Sequence, residues 1–221
     1  MGDDSKWARY GALGGIVFVV LVVASGAAGG NSQASDSPAK ILKYLHDHQD
    51  GIKIAAFLSV LATVAIIWWA GSLWARLHHS GDRDFRLAVI ALLGLLIGGA
   101  GNLTQTGITA ALAIELNRVT ANESKFFVVL SQAFGAGGSI GIAVLVFATS
   151  VATFRYHAFP TWVGWLGVVD GLAFLVGGYS IATTNSAIGG VGFAAFILWA
   201  IWLIATSVVM FRAKDEIPAT A

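Results

Sequence analysis

The chain alternates between long apolar runs and short charged interruptions. Six runs approach or exceed the roughly 20 mostly apolar residues that a bilayer crossing requires. They cover residues 10–30, 53–76, 87–114, 126–153, 162–184 and 191–212. Charged residues bracket every run, and only Asp170 lies well inside one. The pattern predicts an all-α polytopic bundle, one membrane domain of six transmembrane helices. Connections after the second span are short, so successive helices should be antiparallel neighbours. The tail 213–221, "AKDEIPATA", reads as disordered.

The longest connection is "NSQASDSPAKILKYLHDHQDG", residues 31–51. Its first half is polar. Ser37 then suits a helix N-cap, Pro38 a first turn and Gly51 a stop. Ile41, Leu42 and Leu45 share a face, with Tyr44 and His48 alongside. This predicts a short amphipathic helix at the outer membrane surface, able to lie as a lid over whatever the spans enclose.

Lysine and arginine set the orientation. One side carries eight (Lys6, Arg9, Arg76, Arg83, Arg86, Arg155, Arg212, Lys214) and the other five (Lys40, Lys43, Lys53, Arg118, Lys125). The positive-inside rule makes both termini cytoplasmic and the 31–51 loop external. A competing reading takes Lys6, Arg9 and "VVASGAAGGNS" as a cleavable signal peptide; the length of the whole run favours a retained span. Trp68, Trp69 and Trp74, and Trp162 with Trp165, fit headgroup-level positions, whereas Trp199 and Trp202 fall deeper and suit helix packing.

Composition narrows the classes. The chain of 221 residues is 57% hydrophobic and 11% charged, with a mean hydropathy of +0.76. Soluble domains carry about 25% charged residues, so lipid is the expected solvent. The net charge of +1 gives no reason to expect nucleic acid. The absence of cysteine removes disulfides, thiolate catalysis and thiolate metal sites. No Walker, dinucleotide-binding or HExxH pattern occurs. No span holds a lysine for a Schiff base or a mid-depth histidine for haem. One lone carboxylate supplies neither an acid–base pair nor an activated nucleophile. The reading leans away from an enzyme and implies no cofactor. His46 and Asp50, four apart, would share a helical face, with Glu115 or Glu123 as further ligands; the plainer reading is a solvated helix end. His78 and His79 with Asp82 and Asp84 read the same way.

Gly94 and Gly98, continued by Gly101, and Gly137 with Gly141, form small-residue stripes in spans three and four. They predict a tight contact between those helices, with a homo-oligomeric contact as the second reading.

Two polar places stand out. In "GGAGNLTQTGITAAL", residues 98–112, Asn102, Gln105, Thr106 and Thr109 form one helical stripe. Asn102 lies about 22 Å along the helix from Leu87, in the outer half of the bilayer. Ser59, Thr63, Ser131, Gln132, Tyr179, Ser180, Thr183 and Thr184 fall at similar depth. These groups must meet each other or line a wet pocket, because unpaired amides in hydrocarbon are costly. One reading makes them interhelical glue. The other makes Asn102, Gln105, Thr106, Thr109, Gln132 and Tyr179 the lining of an outward-facing pocket for a small polar or amphipathic molecule or lipid. The second place is Asp170, about 12 Å from the inner end of span five and a candidate proton or gate site. It could instead pair with Arg76 or Arg155, or bond Ser72, Thr149, Ser150, Thr206 or Ser207.

The stretches "ARYGALGGIVFVV", "AKILKYLHDHQDGIKIAAFLSVLA", "WWAGSLWARL" and "FPTWVGWLGVVDGLAFL" together resemble an uncharacterised bacterial family of integral membrane proteins, a domain of unknown function. The resemblance covers nearly the whole chain. It implies about six helices and a plasma (inner) membrane location. It carries no activity, cofactor or catalytic residue. The functional expectation is a small transporter or sensor component. The alternative is an accessory subunit of a larger membrane complex, with no enclosed cavity.

Overall fold

The computed structural model describes residues 10–30, 34–80, 85–183 and 186–212, without the side chains of 186–189. The expectations for Lys6, Arg9, Asp82, Arg83, Asp84, Thr184, Lys214 and the 213–221 tail lie outside the described residues. The chain forms helices α1 (Gly14–Gly29), α2 (Pro38–Asp47), α3 (Gln49–His79), α4 (Arg86–Ile114), α5 (Ala121–Tyr156), α6 (Thr161–Gly178) and α7 (Ser186–Arg212). Short 3₁₀ turns follow α4, at Leu116–Arg118, and α6, at Tyr179–Ala182. Among the described residues there is no strand.

Six helical stretches are long and apolar enough to cross a membrane: Tyr10–Gly29, Gln49–His79, Arg86–Ile114, Ala121–Tyr156, Thr161–Ala182 and Gly190–Arg212. They match the six predicted runs, with α3 and α5 extending several residues further. The outer surface is a belt of exposed apolar side chains, among them Val20, Phe57, Ile67, Leu96, Leu172 and Phe193. Such a surface suits lipid, which removes any penalty for exposing it.

The helices run alternately between two ends. The arginine end holds Arg76, Arg86, Arg155 and Arg212; the loop end holds α2 and the α4–α5 connection. Buried bulk concentrates towards the arginine end, with Trp69, Leu73 and Leu77 of α3, Leu145 and Val146 of α5, and Trp202 and Leu203 of α7. Trp199 and Trp202 are core residues, as their depth predicted. Trp69 is also fully buried, against its expected headgroup position; its neighbour Trp68 takes the lipid-facing role.

The tightest seam joins α4 to α5. A Cβ at Gly94 would sit 2.6 Å from the Gly141 carbonyl oxygen, and one at Gly101 would sit 2.7 Å from Gly138 Cα. A Cβ at Gly141 would sit 2.5 Å from both Gly94 O and Gly98 N. The expected contact between spans three and four is present, but Gly137 is not in it: a Cβ there would meet nothing within 4 Å. Gly138 takes its place, because the phase of α5 turns residue 138 with 141 towards α4.

α2 begins as expected, with Ser37 Oγ accepting from Lys40 N at 3.4 Å and Pro38 in the first turn. Its far end differs. The helix stops at Asp47, and His48 at φ −121° separates it from α3. Gly51 lies inside α3, where the missing side chain lets that helix approach the Ala28 carbonyl of α1. His46 and Asp50 therefore sit on different helices, and the shared-face argument for a metal fails. Asp50 pairs with Lys53 at 3.5 Å, and among the described residues no group of three metal-ligating side chains converges. Ile41 and Leu45 are buried against Leu112, Leu116 and Val128, so α2 seals the loop end of α4 and α5. The Tyr44 hydroxyl donates to Gly29 O at 2.7 Å, tying α2 to the end of α1.

α5 opens with a capping box that the sequence reading passed over, although Thr120 and Glu123 have the required spacing. The Thr120 backbone N–H donates to Glu123 Oε2 at 2.7 Å and its hydroxyl at 2.8 Å. These two bonds hold the Glu123 carboxyl below its ordinary value. A lowered folded-state value means that this contribution is complete above the ordinary glutamate range and fades as pH falls through the folded value. Acidification should therefore lower the amide protection factors, corrected for intrinsic exchange, in the first turn of α5 in the native chain, and Glu123→Gln should remove most of that decrease.

Candidate functional site

The helices line a half-open cavity of about 790 Å³ in the half of the bundle nearer the loop end. Its floor is apolar: Phe18 from α1, Ile66 from α3, Leu95 from α4, Ile142 from α5, Phe174 from α6 and Trp199 from α7. Above it stand polar groups, Asn102 and Gln105 from α4, Gln132 and Ser139 from α5, and Ser180 and Thr183 after α6. Ala34 and Ser35, just before α2, reach the lining, whereas no residue of α2 does. The expected lid is therefore not α2 itself. Glycines leave much of the open space; Gly99 faces it with nothing within 4 Å of a notional Cβ.

The predicted stripe splits. Asn102 and Gln105 line the cavity together, and Gln132 joins them from α5. Thr106 and Thr109 lie outside the lining, and the Thr109 hydroxyl donates to its own helix, to Gln105 O at 3.1 Å and Thr106 O at 3.0 Å. Tyr179 also lies outside, with 60% of its surface exposed. Ser180 lines it instead, because it lies three residues past the lining Gly177 and, in the 3₁₀ turn that begins at Tyr179, residues three apart share a side.

The Gln105 side chain rests against Gly135 of α5, in space that a side chain at 135 would fill. Among the described residues, neither Asn102 nor Gln105 makes a side-chain hydrogen bond. Each carries two N–H donors and a carbonyl acceptor, so the pair offers both polarities to the cavity. Interhelical glue does occur elsewhere: Ser25 donates to Ala55 O at 2.9 Å and lies 3.1 Å from Ser59 Oγ, and Gln49 Nε2 donates to Ala113 O at 2.7 Å. Among the described residues, the lining holds no Asp, Glu, Lys, Arg or His. Chemically it is a neutral cavity with hydrogen-bonding upper walls and an aromatic floor, in the volume range of small-molecule sites.

Behind that floor lies Asp170, on α6 one turn before Phe174. Its surface is 0% exposed, and neither carboxyl oxygen has a hydrogen-bond partner. None of the partners considered for it bonds it. Arg76 Nε donates to Ala158 O at 2.7 Å, and Arg155 lies over the Tyr156 ring. Thr149, Ser150 and Thr206 donate to Leu145, Val146 and Trp202 carbonyls of their own helices at 2.7–2.9 Å. A helical hydroxyl finds such a carbonyl one turn back without moving, which removes it as a donor to Asp170.

The Asp170 region carries other buried polar atoms without partners: the indole N–H groups of Trp69, Trp199 and Trp202 and the Ser207 hydroxyl. Two glycine notches receive them. A Cβ at Gly167, one turn before Asp170, would lie 3.1 Å from Trp202 Nε1, and one at Gly15 would lie 3.0 Å from Trp69 Nε1. The Trp69 and Trp202 rings meet edge to face at 5.9 Å. Trp199 belongs to both regions: it lines the cavity and packs edge-on against Phe18 at 5.2 Å and Phe174 at 6.3 Å. The sequence reading found Asp170 but not its indole surroundings; the signal was the depth of Trp69, Trp199 and Trp202 within their spans. Comparison with protein-family models, curated proteins and solved structures finds no match, so the reading of this site rests on its own geometry.

Proposed function

We propose that this chain is a non-enzymatic multi-pass protein of the plasma (inner) membrane that binds a small, uncharged amphipathic molecule in its loop-end cavity, as a transporter or sensor component. The observation that carries this reading is the pairing of Asn102 and Gln105, two amides without protein partners in the described structure, above an aromatic floor in a cavity of about 790 Å³. Amides serving as glue would bond a neighbouring helix, as Gln49 does. An unpaired amide in a membrane interior is costly, and a bound hydroxyl, carbonyl or amide group would satisfy it. The neutral lining argues for an uncharged ligand, because a charge on that floor would have no counter-ion. In a transporter, Asp170 would act behind the floor as the inner gate or proton site, reached by movement of Phe174 and Trp199.

Two substitutions separate binding from packing. Gly99→Leu adds bulk to the cavity from a Cβ position with nothing within 4 Å. It should abolish binding of the co-purifying ligand while leaving thermal stability equal or higher, since leucine is the better helix former. Gln105→Leu should weaken binding about tenfold, the worth of one or two lost hydrogen bonds. Isothermal titration with the extracted ligand measures both. Unchanged affinity in both variants, with lowered melting temperature in Gln105→Leu, would return the amides to a packing role.

A further inference from the structure

We infer a second site, for the phosphate headgroup of an anionic phospholipid, at the arginine end of the bundle. A groove of about 680 Å³ opens there between the end of α3, the α5–α6 connection and the last turns of α7. Arg76 and Arg212 both line it, from helices far apart in sequence, and His157 joins them. Among the described residues, no carboxylate is in the lining. Arg212 has no hydrogen-bond or ion-pair partner among the described residues. Arg76 spends one N–H on Ala158 O and lies 5.8 Å from the Phe159 ring centroid, which fixes its guanidinium and leaves the terminal amino groups for another acceptor.

The rest of the groove is apolar. Ala205, Val208 and Val209 of α7 form one wall, and Trp162, more than half exposed, stands at the start of α6. Two cations at the helix ends beside an apolar wall running along a membrane-facing helix match a diacyl anionic lipid. The phosphate would bridge the guanidiniums, which suit planar two-point recognition, and an acyl chain would follow α7. Trp162 sits where indoles favour the headgroup level. Basic pockets between helices recognise acidic lipid headgroups in this way. This groove is cationic and the loop-end cavity is lined by neutral groups, so the two sites call for different ligands.

The test is native mass spectrometry of the full chain in mild detergent with equimolar phosphatidylglycerol and phosphatidylcholine of identical acyl chains. Wild type should retain phosphatidylglycerol preferentially. Arg212→Gln should lower that preference about fivefold, the worth of one cation near an anionic headgroup. Arg212→Lys should recover part of it, and Arg86→Gln, at the same end but outside the groove, should leave it unchanged. Equal retention of both lipids by wild type, or an equal loss in Arg86→Gln, would overturn the site and leave general surface charge. Displacement of the lipid by millimolar inorganic phosphate would also overturn it, in favour of a free-anion site. Arg212 ends α7 and, among the described residues, serves no other group, so this variant holds the test even if the loss of the Ala158 contact prevents Arg76→Gln from folding.

Discussion

Gly141→Leu is expected to prevent the bundle from assembling, or to destabilise it by about 3 kcal/mol or more, at the severe end of overpacking penalties. The reason is the kind of atom that a side chain at 141 would meet. Its Cβ alone would fall 2.5 Å from Gly94 O and from Gly98 N, both backbone atoms of α4. A flexible side chain can turn away, but a helix backbone can only retreat as a whole. Retreat would open the seam along Gly94, Gly98, Gly101, Gly138 and Gly141 and forfeit the close backbone packing that holds helices together in lipid. Gly137→Ala is the control: a Cβ added four residues away meets nothing within 4 Å and should be neutral or gain about 0.5–1 kcal/mol from helix propensity. Size-exclusion profiles and thermal unfolding in detergent compare the two. Similar behaviour of both would remove the seam from the account.

Asp170→Leu is expected to stabilise the fold by about 1–3 kcal/mol while abolishing transport or signalling. Leucine copies the branching of aspartate and removes two buried oxygens that have no partner. Leaving such groups unsatisfied costs about 1–3 kcal/mol, and replacing them with apolar atoms of similar shape recovers much of it. A residue that weakens its own fold is retained for function or not at all, which is how a gate or proton site would look. Chemical unfolding in mixed micelles and a flux or ligand-response assay give the two readouts. A loss of several kcal/mol would instead make the carboxyl a structural acceptor for the indoles of Trp69 and Trp202, contradicting its proposed role.

Much of the fold was legible because lipid imposes one strong rule, a long apolar run for each crossing. All six spans followed from it. Ser37 and Pro38 marked the start of α2, and the glycines of α4 marked its contact face. The rest depended on helix phase and on local breaks, which composition does not encode. Gly137 and Gly138 both stand near Gly141, and only the actual rotation of α5 selects Gly138. "HDHQDG" reads as one continuous turn of helix, yet the chain breaks at His48, which separates His46 from Asp50. Ser180 rather than Tyr179 lines the cavity because of phase as well: it stands three residues past the lining Gly177, in a 3₁₀ turn that keeps the two on one side. In the polar stripe, Asn102 and Gln105 were legible as a pair with a common direction. The aromatic floor was not, because in a membrane protein apolar residues face both lipid and interior and show no amphipathic period. Phe174 inside and Phe193 at the cavity margin look alike in sequence.

The central claim is that the loop-end cavity holds a small uncharged molecule. Native mass spectrometry of the protein purified in mild detergent, followed by extraction and identification of what dissociates, tests it most directly. The account predicts one neutral amphipathic compound at unit stoichiometry, lost in Gly99→Leu. A protein that arrives empty, or whose only companion is another membrane subunit, would contradict it and make the Asn102–Gln105 stripe a packing feature.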